Sequence, residues 1–283
     1  MQPTGIKLHT DMSIRVDRRI GRRFLPPAVL VLAFLSLGAV PAGALDLFTL
    51  WQRPELPLNL EAGQRADYRR QALADGRRTD DLLRIQCLGQ DDQGNWLLEV
   101  LPLLEPQPGV YETVPGEGLL LVLNSTFAQR EGGLFDAVVE VKLWRDGKVS
   151  TLDRQQWRRD PLVTASFSGD FDPDTVEESA STIRVIDDHE LECRQLIFSA
   201  TDNQKAELPV GTMIQTSTQE VSAAVHPDIP LLGLAYVTER VRAESRLDPP
   251  SDRMKPPPPQ VRIEILECFG YGHDAVAVLG GGH

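Results

Sequence analysis

Val261-Arg262-Ile263-Glu264-Ile265 decides the fold of this chain. Apolar and charged residues alternate there one by one, the period of a half-buried β-strand, whose successive side chains point to opposite faces. The alternation predicts Ile263 and Ile265 inward, Arg262 and Glu264 outward. Upstream, Leu83, Ile85 and Cys87 share one face of a similar run, with Arg84 and Gln86 on the other. The polar stretch Gly89 to Asn95 then leads into Trp96-Leu97-Leu98-Glu99-Val100, which reads as a hairpin with a long loop.

A tighter hairpin is written around Asp146-Gly147, between Val139, Val141, Leu143 and the run Val149 to Leu152. Asp-Gly supplies the positive φ angles that a two-residue turn requires. A third hairpin pairs Ile183 to Ile186 with Leu191 to Phe198 across Asp187-Asp188-His189. Leu119 to Leu123, Gly211 to Val225 and Leu234 to Ser245 are further strands. Residues 61–75 read equally as a short helix or as the first strand. Two proline-rich stretches punctuate the chain: Pro102 to Pro115, a loop or strand crossing, and Pro249 to Pro259, an extended connector. The strand after that connector needs a partner for its apolar side and is expected to rejoin the main sheet.

These signals predict a mainly β protein: a large curved antiparallel sheet, half-barrel or sandwich-like, with few short helices. No internal repeat is evident. Residues 45–283 are expected to form a single β-rich domain with the connector at 249–259 and a flexible tail at 279–283.

The first 44 residues read differently. Arg15, Arg18, Arg19, Arg22 and Arg23 precede the uncharged run Ala28 to Val40, and Pro41-Ala42-Gly43-Ala44 closes it with small residues. That order is a secretory signal peptide with cleavage after Ala44. The 13-residue apolar run falls short of the ~20 residues of a spanning helix. The expected location is therefore the periplasm or the exterior, with no membrane span after cleavage. The start is Met1 or Met12, the latter just upstream of the basic cluster. Arg22-Arg23-Phe24-Leu25 has a twin-arginine flavour, but Pro26 stands where a second apolar residue is wanted, which favours the general secretory route.

The chain carries 29 basic and 41 acidic residues; the first 44 residues hold six and two of these, leaving 23 against 39 and a net charge of −16. Such a surface repels phosphate backbones and anionic headgroups, which argues against nucleic-acid partners. It is compatible with cationic partners or divalent metals, and reads first as a solubilising surface. The three cysteines, Cys87, Cys193 and Cys268, fit no zinc spacing and imply no cofactor. Their odd count leaves at least one thiol unpaired. Each sits in an apolar, strand-like run, where a free Cys serves as a small buried hydrophobe, and two of them pair only if their strands are neighbours.

The densest carboxylate cluster, Asp170, Asp172 and Asp174 with Glu177 and Glu178, supplies the candidate metal ligands. The helix–loop–helix calcium pattern fails there, with Thr175 at its sixth position and Ser181 at its twelfth. The rival reading has Asp172 capping a helix that begins at Pro173. His189, His226 and His273 each lack a ligand-spaced partner. Ala165-Ser166-Phe167-Ser168-Gly169 lacks the first glycine of a nucleophile elbow. Gly280-Gly281-Gly282-His283 is no phosphate loop, and Asn124-Ser125-Thr126 is formally a glycosylation acceptor. No residue is nominated as catalytic.

Three segments carry a family resemblance: Leu191-Glu192-Cys193, the turn Val225 to Leu234 (VHPDIPLLGL), and the closing run Ile263 to Gly270. Together they resemble uncharacterised secreted bacterial proteins related in shape to the outer-membrane lipoprotein carriers (LolA/LolB-like). The similarity spans about residues 180–270 and departs in the 249–259 insert and the glycine-rich tail. It implies a strongly curved antiparallel sheet with short helices over its concave face, the face that binds acyl chains in the carriers. No site residue carries over. The partner that the resemblance implies is an apolar small molecule or a periplasmic protein. The expected function is therefore non-catalytic binding of such a ligand or protein on that face; the alternative is a secreted hydrolase with its residues dispersed on loops.

Overall fold

The computed structural model describes residues 50–74, 76–131, 134–152, 173–208, 211–250 and 254–279. The signal segment 1–44, Asp170, Asp172 and the run Ala165 to Gly169 lie outside these residues. The described chain is one open antiparallel sheet of twelve strands: β1 (Arg65–Ala74), β2 (Arg77–Gln90), β3 (Trp96–Gln107), β4 (Val110–Thr113), β5 (Gly118–Leu123), β6 (Val138–Arg145), β7 (Lys148–Leu152), β8 (Thr175–Ile186), β9 (His189–Leu208), β10 (Gly211–Val225), β11 (Leu234–Asp248) and β12 (Gln260–Gly272). Two short helices, α1 (Ser125–Gln129) and α2 (Leu134–Ala137), interrupt it. Among the described residues no helix is long and apolar enough to cross a membrane.

The spatial order β7-β6-β5-β3-β2-β1-β12-β11-β10-β9-β8, with β4 paired to β3, is two meanders joined where β12 pairs with β1. The turn chemistry that predicts the hairpins is in place. Asp146 and Gly147 take φ of 52° and 71° between β6 and β7, and Asp187 and Asp188 take 50° and 61° between β8 and β9. Asp91 closes the β2–β3 loop, its Oδ1 accepting the Gln93 and Asn95 amides at 2.9 and 2.8 Å. At the β8 edge the sheet curls. The Arg184 guanidinium lies 4.0 Å from the centre of the Tyr236 ring, although β9 and β10 separate their strands.

Residues directly opposite on paired strands share a face, and their register separates two sets. Leu121 opposes Leu98 and Leu98 opposes Cys87; Leu266 opposes Val237, Val237 opposes Ala223, and Ala223 opposes Leu196. All are buried and belong to one hydrophobic core. On the other face Glu99 opposes Gln86 and Gln86 opposes Arg65, while Leu101 opposes Arg84 and Arg84 opposes Asp67. That set is also largely withdrawn from water.

Four sequence expectations are corrected. In β12 the alternation holds but its direction inverts: Glu264 is 2 % exposed and Leu266 1 %, while Ile263 and Ile265 are half-buried on the opposite face. Leu266 and Cys268 fix the inward parity, and β12 lies mid-sheet, so the charged residues of that parity are buried and paired with each other. No helix begins at Pro173; Thr175 already opens β8. The 102–115 stretch is a hairpin, since β3 runs through Pro102 to Gln107 and returns as β4 across Gly109. Leu279 is buried, so the tail is anchored as far as that residue. The ambiguous 61–75 segment is a strand from Arg65 onward. Asn124 serves in addition as a helix N-cap, its side chain accepting the Thr126 amide at 3.1 Å.

The inverted parity is testable. Leu266→Ala should cost about 2–5 kcal/mol, the range for truncating a buried aliphatic side chain, and Ile263→Ala distinctly less. Equal losses in urea unfolding would contradict this orientation of β12.

Candidate functional site

Residues 50–60 lie on the apolar face without adding a strand to the sheet. Leu50, Trp51, Leu56 and Leu60 are buried in the same core as Phe127 of α1 and Phe198 of β9. Trp51 meets the Phe127 ring with centroids 5.2 Å apart. Among the described residues one isolated bridge, Asn59 to Leu231, ties this segment to the chain in strand fashion, with the Asn59 amide donating to the Leu231 carbonyl at 3.0 Å.

Arginines hold the rest of the segment. Arg130 follows α1 in the left-handed conformation, φ 60°, and its guanidinium donates to the carbonyls of Arg53 and Leu56. Burial lowers the affinity of that guanidinium for its proton, so its charge is partly desolvated there. Arg194 of β9 donates to the Glu55 carbonyl at 2.6 Å. Beside these contacts runs an open groove of about 660 Å³, with Pro54, Glu55, Leu56 and Pro57 on one wall and Glu192, Arg194, Val225, His226 and Pro227 on the other. It gives access to the edge of the segment.

Along the apolar face, away from the turn that joins β10 to β11, the lining turns polar. Glu264 and Glu239 oppose each other on β12 and β11, and both are buried. Arg262 sits against the Glu264 carboxylate and 3.6 Å from that of Glu239. Gln219 of β10 donates to Glu239 at 2.6 Å. Two carboxylates thus share one guanidinium. Arg262 is nearer Glu264, and burial pushes the Glu239 carboxyl upward in pKa, against the opposing pull of Arg262 and Gln219.

The opposite face carries a second polar assembly. Asp67 is clamped by Arg84, at 2.6 and 2.8 Å, and by Arg65 at 2.9 Å; Arg65 also reaches Asp274 at 2.7 Å. The Asp67 carboxylate raises the Arg84 pKa, and Arg65 holds the Asp274 carboxyl below its ordinary range. Next to this network Glu99 and Gln86 bind the backbone of residues 276–279.

Among the described residues, those singled out from the sequence are not brought together. Asp174 is exposed and accepts the Thr201 amide at 2.7 Å. Glu177 and Glu178 lie along β8. Among the described residues no cluster of three or more His, Cys, Asp or Glu is placed to hold a metal ion. His189 approaches the Asp187 carbonyl at 2.6 Å, His226 accepts the Asp228 amide at 3.2 Å, and His273 is exposed. None of the three has a hydroxyl or thiol among its described partners. Cys87, Cys193 and Cys268 are free and buried, with β1 standing between the strands of Cys87 and Cys268. Burial pushes the Cys268 thiol up to about 12. They act as small hydrophobes. The buried groups that matter, Asp67, Gln86, Glu99, Glu239 and Glu264, were not nominated from the sequence. Their one signal is a charged or amide side chain inside an apolar run, plainest in Trp96-Leu97-Leu98-Glu99-Val100.

No protein-family model matches the chain, and no curated protein does. Among solved structures the chain is similar to a DUF1329 family protein from Desulfovibrio piger, at 9 % identity over 72 % of this chain and 85 % of that one, with a TM-score of 0.22. A likeness that faint carries no argument about function.

Glu239 gives a pH prediction. A carboxyl with a raised pKa binds its proton more tightly folded than unfolded, so its contribution to stability falls as pH rises from the ordinary Glu range through the raised value. Glu239→Gln removes that loss and keeps an acceptor for Gln219. The urea midpoint of the variant, relative to the parent, should therefore be higher at pH 7 than at pH 5. A deficit of equal size at both pH values would contradict the assignment.

Proposed function

We propose that this is an exported, non-catalytic binding protein that holds an apolar ligand on the apolar face of its sheet, with residues 50–60 as an exchangeable cover. One observation carries the reading: the broad buried face of Leu98, Val237, Leu266 and Phe198 is closed by a segment outside the sheet, whose main chain is gripped by arginine side chains. A ligand chain that replaced Trp51 and Leu56 would bury comparable apolar area. The groove beside Pro54 to Pro57 offers the way in. The signal-like order of residues 1–44 supports export. A triad hydrolase would need a nucleophile next to a histidine, and His189 and His226 have carbonyl, amide and carboxylate neighbours instead.

Burying an acyl chain gains ~0.8 kcal/mol per methylene, so ten methylenes give a gross ~8 kcal/mol before association costs are subtracted. Lifting the cover subtracts more, which sets a moderate affinity. Because the attraction is apolar, it should be nearly independent of salt.

Titration of the mature protein with a fluorescent fatty acid, at low and high salt, tests this. Saturable binding with little salt dependence is expected, and tighter binding by Arg130→Ala, which frees the two cover carbonyls. Absence of saturable binding in both proteins, each with a cooperative melt, would overturn the reading.

A further inference from the structure

Residues 273–279 leave the sheet after β12 and run along its polar face as an extended segment, held by side chains of the strands beneath. Glu99, fully buried at 0 % exposure, accepts the Val278 amide at 3.1 Å and the Leu279 amide at 2.8 Å. Gln86 donates one amide group to Glu99 at 2.6 Å and to the Val276 carbonyl at 2.8 Å. The Leu279 side chain enters a notch at Gly118 and Leu101: a β-carbon on Gly118 would come within 2.8 Å of Leu279 and 2.9 Å of Leu101. Gly118 has φ of 149°, a value that also favours glycine.

These contacts form a site that reads main chain and the Leu279 side chain, with Arg65 holding the Asp274 carboxylate where the segment begins. No lysine or arginine pairs with Glu99 among the described residues, so its buried charge is met by amide N–H groups, two of which belong to the segment. Charge-assisted hydrogen bonds of this kind are stronger than neutral ones, and leaving such an anion without them is costly. The segment in turn buries little beyond Leu279; Val276 is 74 % exposed and Val278 40 %. A structural tail would be expected to bury its apolar side chains. Here the sheet supplies nearly all of the recognition.

We propose that Gln86, Glu99, Leu101 and Gly118 form a peptide-binding site for an extended segment with a leucine at its anchoring position, and that it accepts residues 273–279 of a second copy in place of the chain's own. That sequence is the one shown to fit the site, which makes another copy the matching partner. An exchanged segment makes the same contacts as a resident one, so the exchange is nearly neutral in contact energy and is driven by concentration. The exposed Val276 and Val278 would then lie in the contact between the copies.

Two full-length variants test the exchange. Leu279→Asp spoils the segment and leaves the site; Glu99→Ala with Gly118→Val spoils the site and leaves the segment. Each alone should be monomeric by sedimentation, and an equimolar mixture should contain a species of twice the monomer mass. A mixture that stays monomeric while both variants melt cooperatively would overturn the proposal. Should either variant fail to fold, hydrogen exchange on the unaltered protein decides it. Val278 and Leu279 amides exchanging at least tenfold faster than Leu98 would show a releasable segment, and exchange at the core rate would refute one.

Discussion

The constraint on which this structure depends is that a buried carboxylate must be met by donors wherever the strand parity places it. Asp67, Glu99, Glu239 and Glu264 all lie on strands whose neighbours bury them. An ionised carboxylate withdrawn from water costs several kcal/mol unless it is paired and hydrogen-bonded. Each is answered differently. Asp67 has two guanidiniums; Glu264 has Arg262 at close range; Glu239 has Gln219 and a more distant share of the same arginine; Glu99 has an amide side chain and two backbone N–H groups. The C-terminal segment follows from this, because without it Glu99 would keep Gln86 as its sole described donor.

The two faces consequently divide their work. The apolar face is closed by hydrophobic side chains of 50–60 whose backbone is fixed by Arg130 and Arg194, and the polar face by a segment whose backbone is fixed by Glu99 and Gln86. In both cases a charged or polar side chain of the sheet region grips main-chain groups of a crossing segment. Such contacts are specific in geometry and tolerant of the crossing sequence. Under the two proposals, a second copy's segment would reuse such main-chain contacts, whereas an acyl chain would replace only the apolar side chains of 50–60.

Local chemistry made most of the sheet legible in the sequence. Asp146-Gly147 and Asp187-Asp188 encode their turns through positive φ, and the alternation in β2 and β12 encodes strands. What alternation does not encode is which face is inside when both are covered. In β12 the choice between Ile263 and Glu264 depends on Leu266 and Cys268 further along the strand and on Arg262 and Glu239 beside it. The described acids of the other conspicuous run, Asp174, Glu177 and Glu178, are exposed, and solvent and single contacts such as the Thr201 amide on Asp174 are enough for them. Arg130 and Arg194 left no local trace at all, since their partners are backbone carbonyls more than seventy positions away.

Exposure of Trp51 during ligand binding tests the cover directly. With Trp96, Trp144 and Trp157 replaced by phenylalanine, Trp51 becomes the lone indole. It should be shielded from acrylamide in the free protein, where it is 1 % exposed against Phe127. Addition of an unlabelled fatty acid should open it to quenching in a saturable manner as the ligand takes its place. Saturable fatty-acid binding with Trp51 still shielded would contradict the exchangeable cover and place the ligand elsewhere.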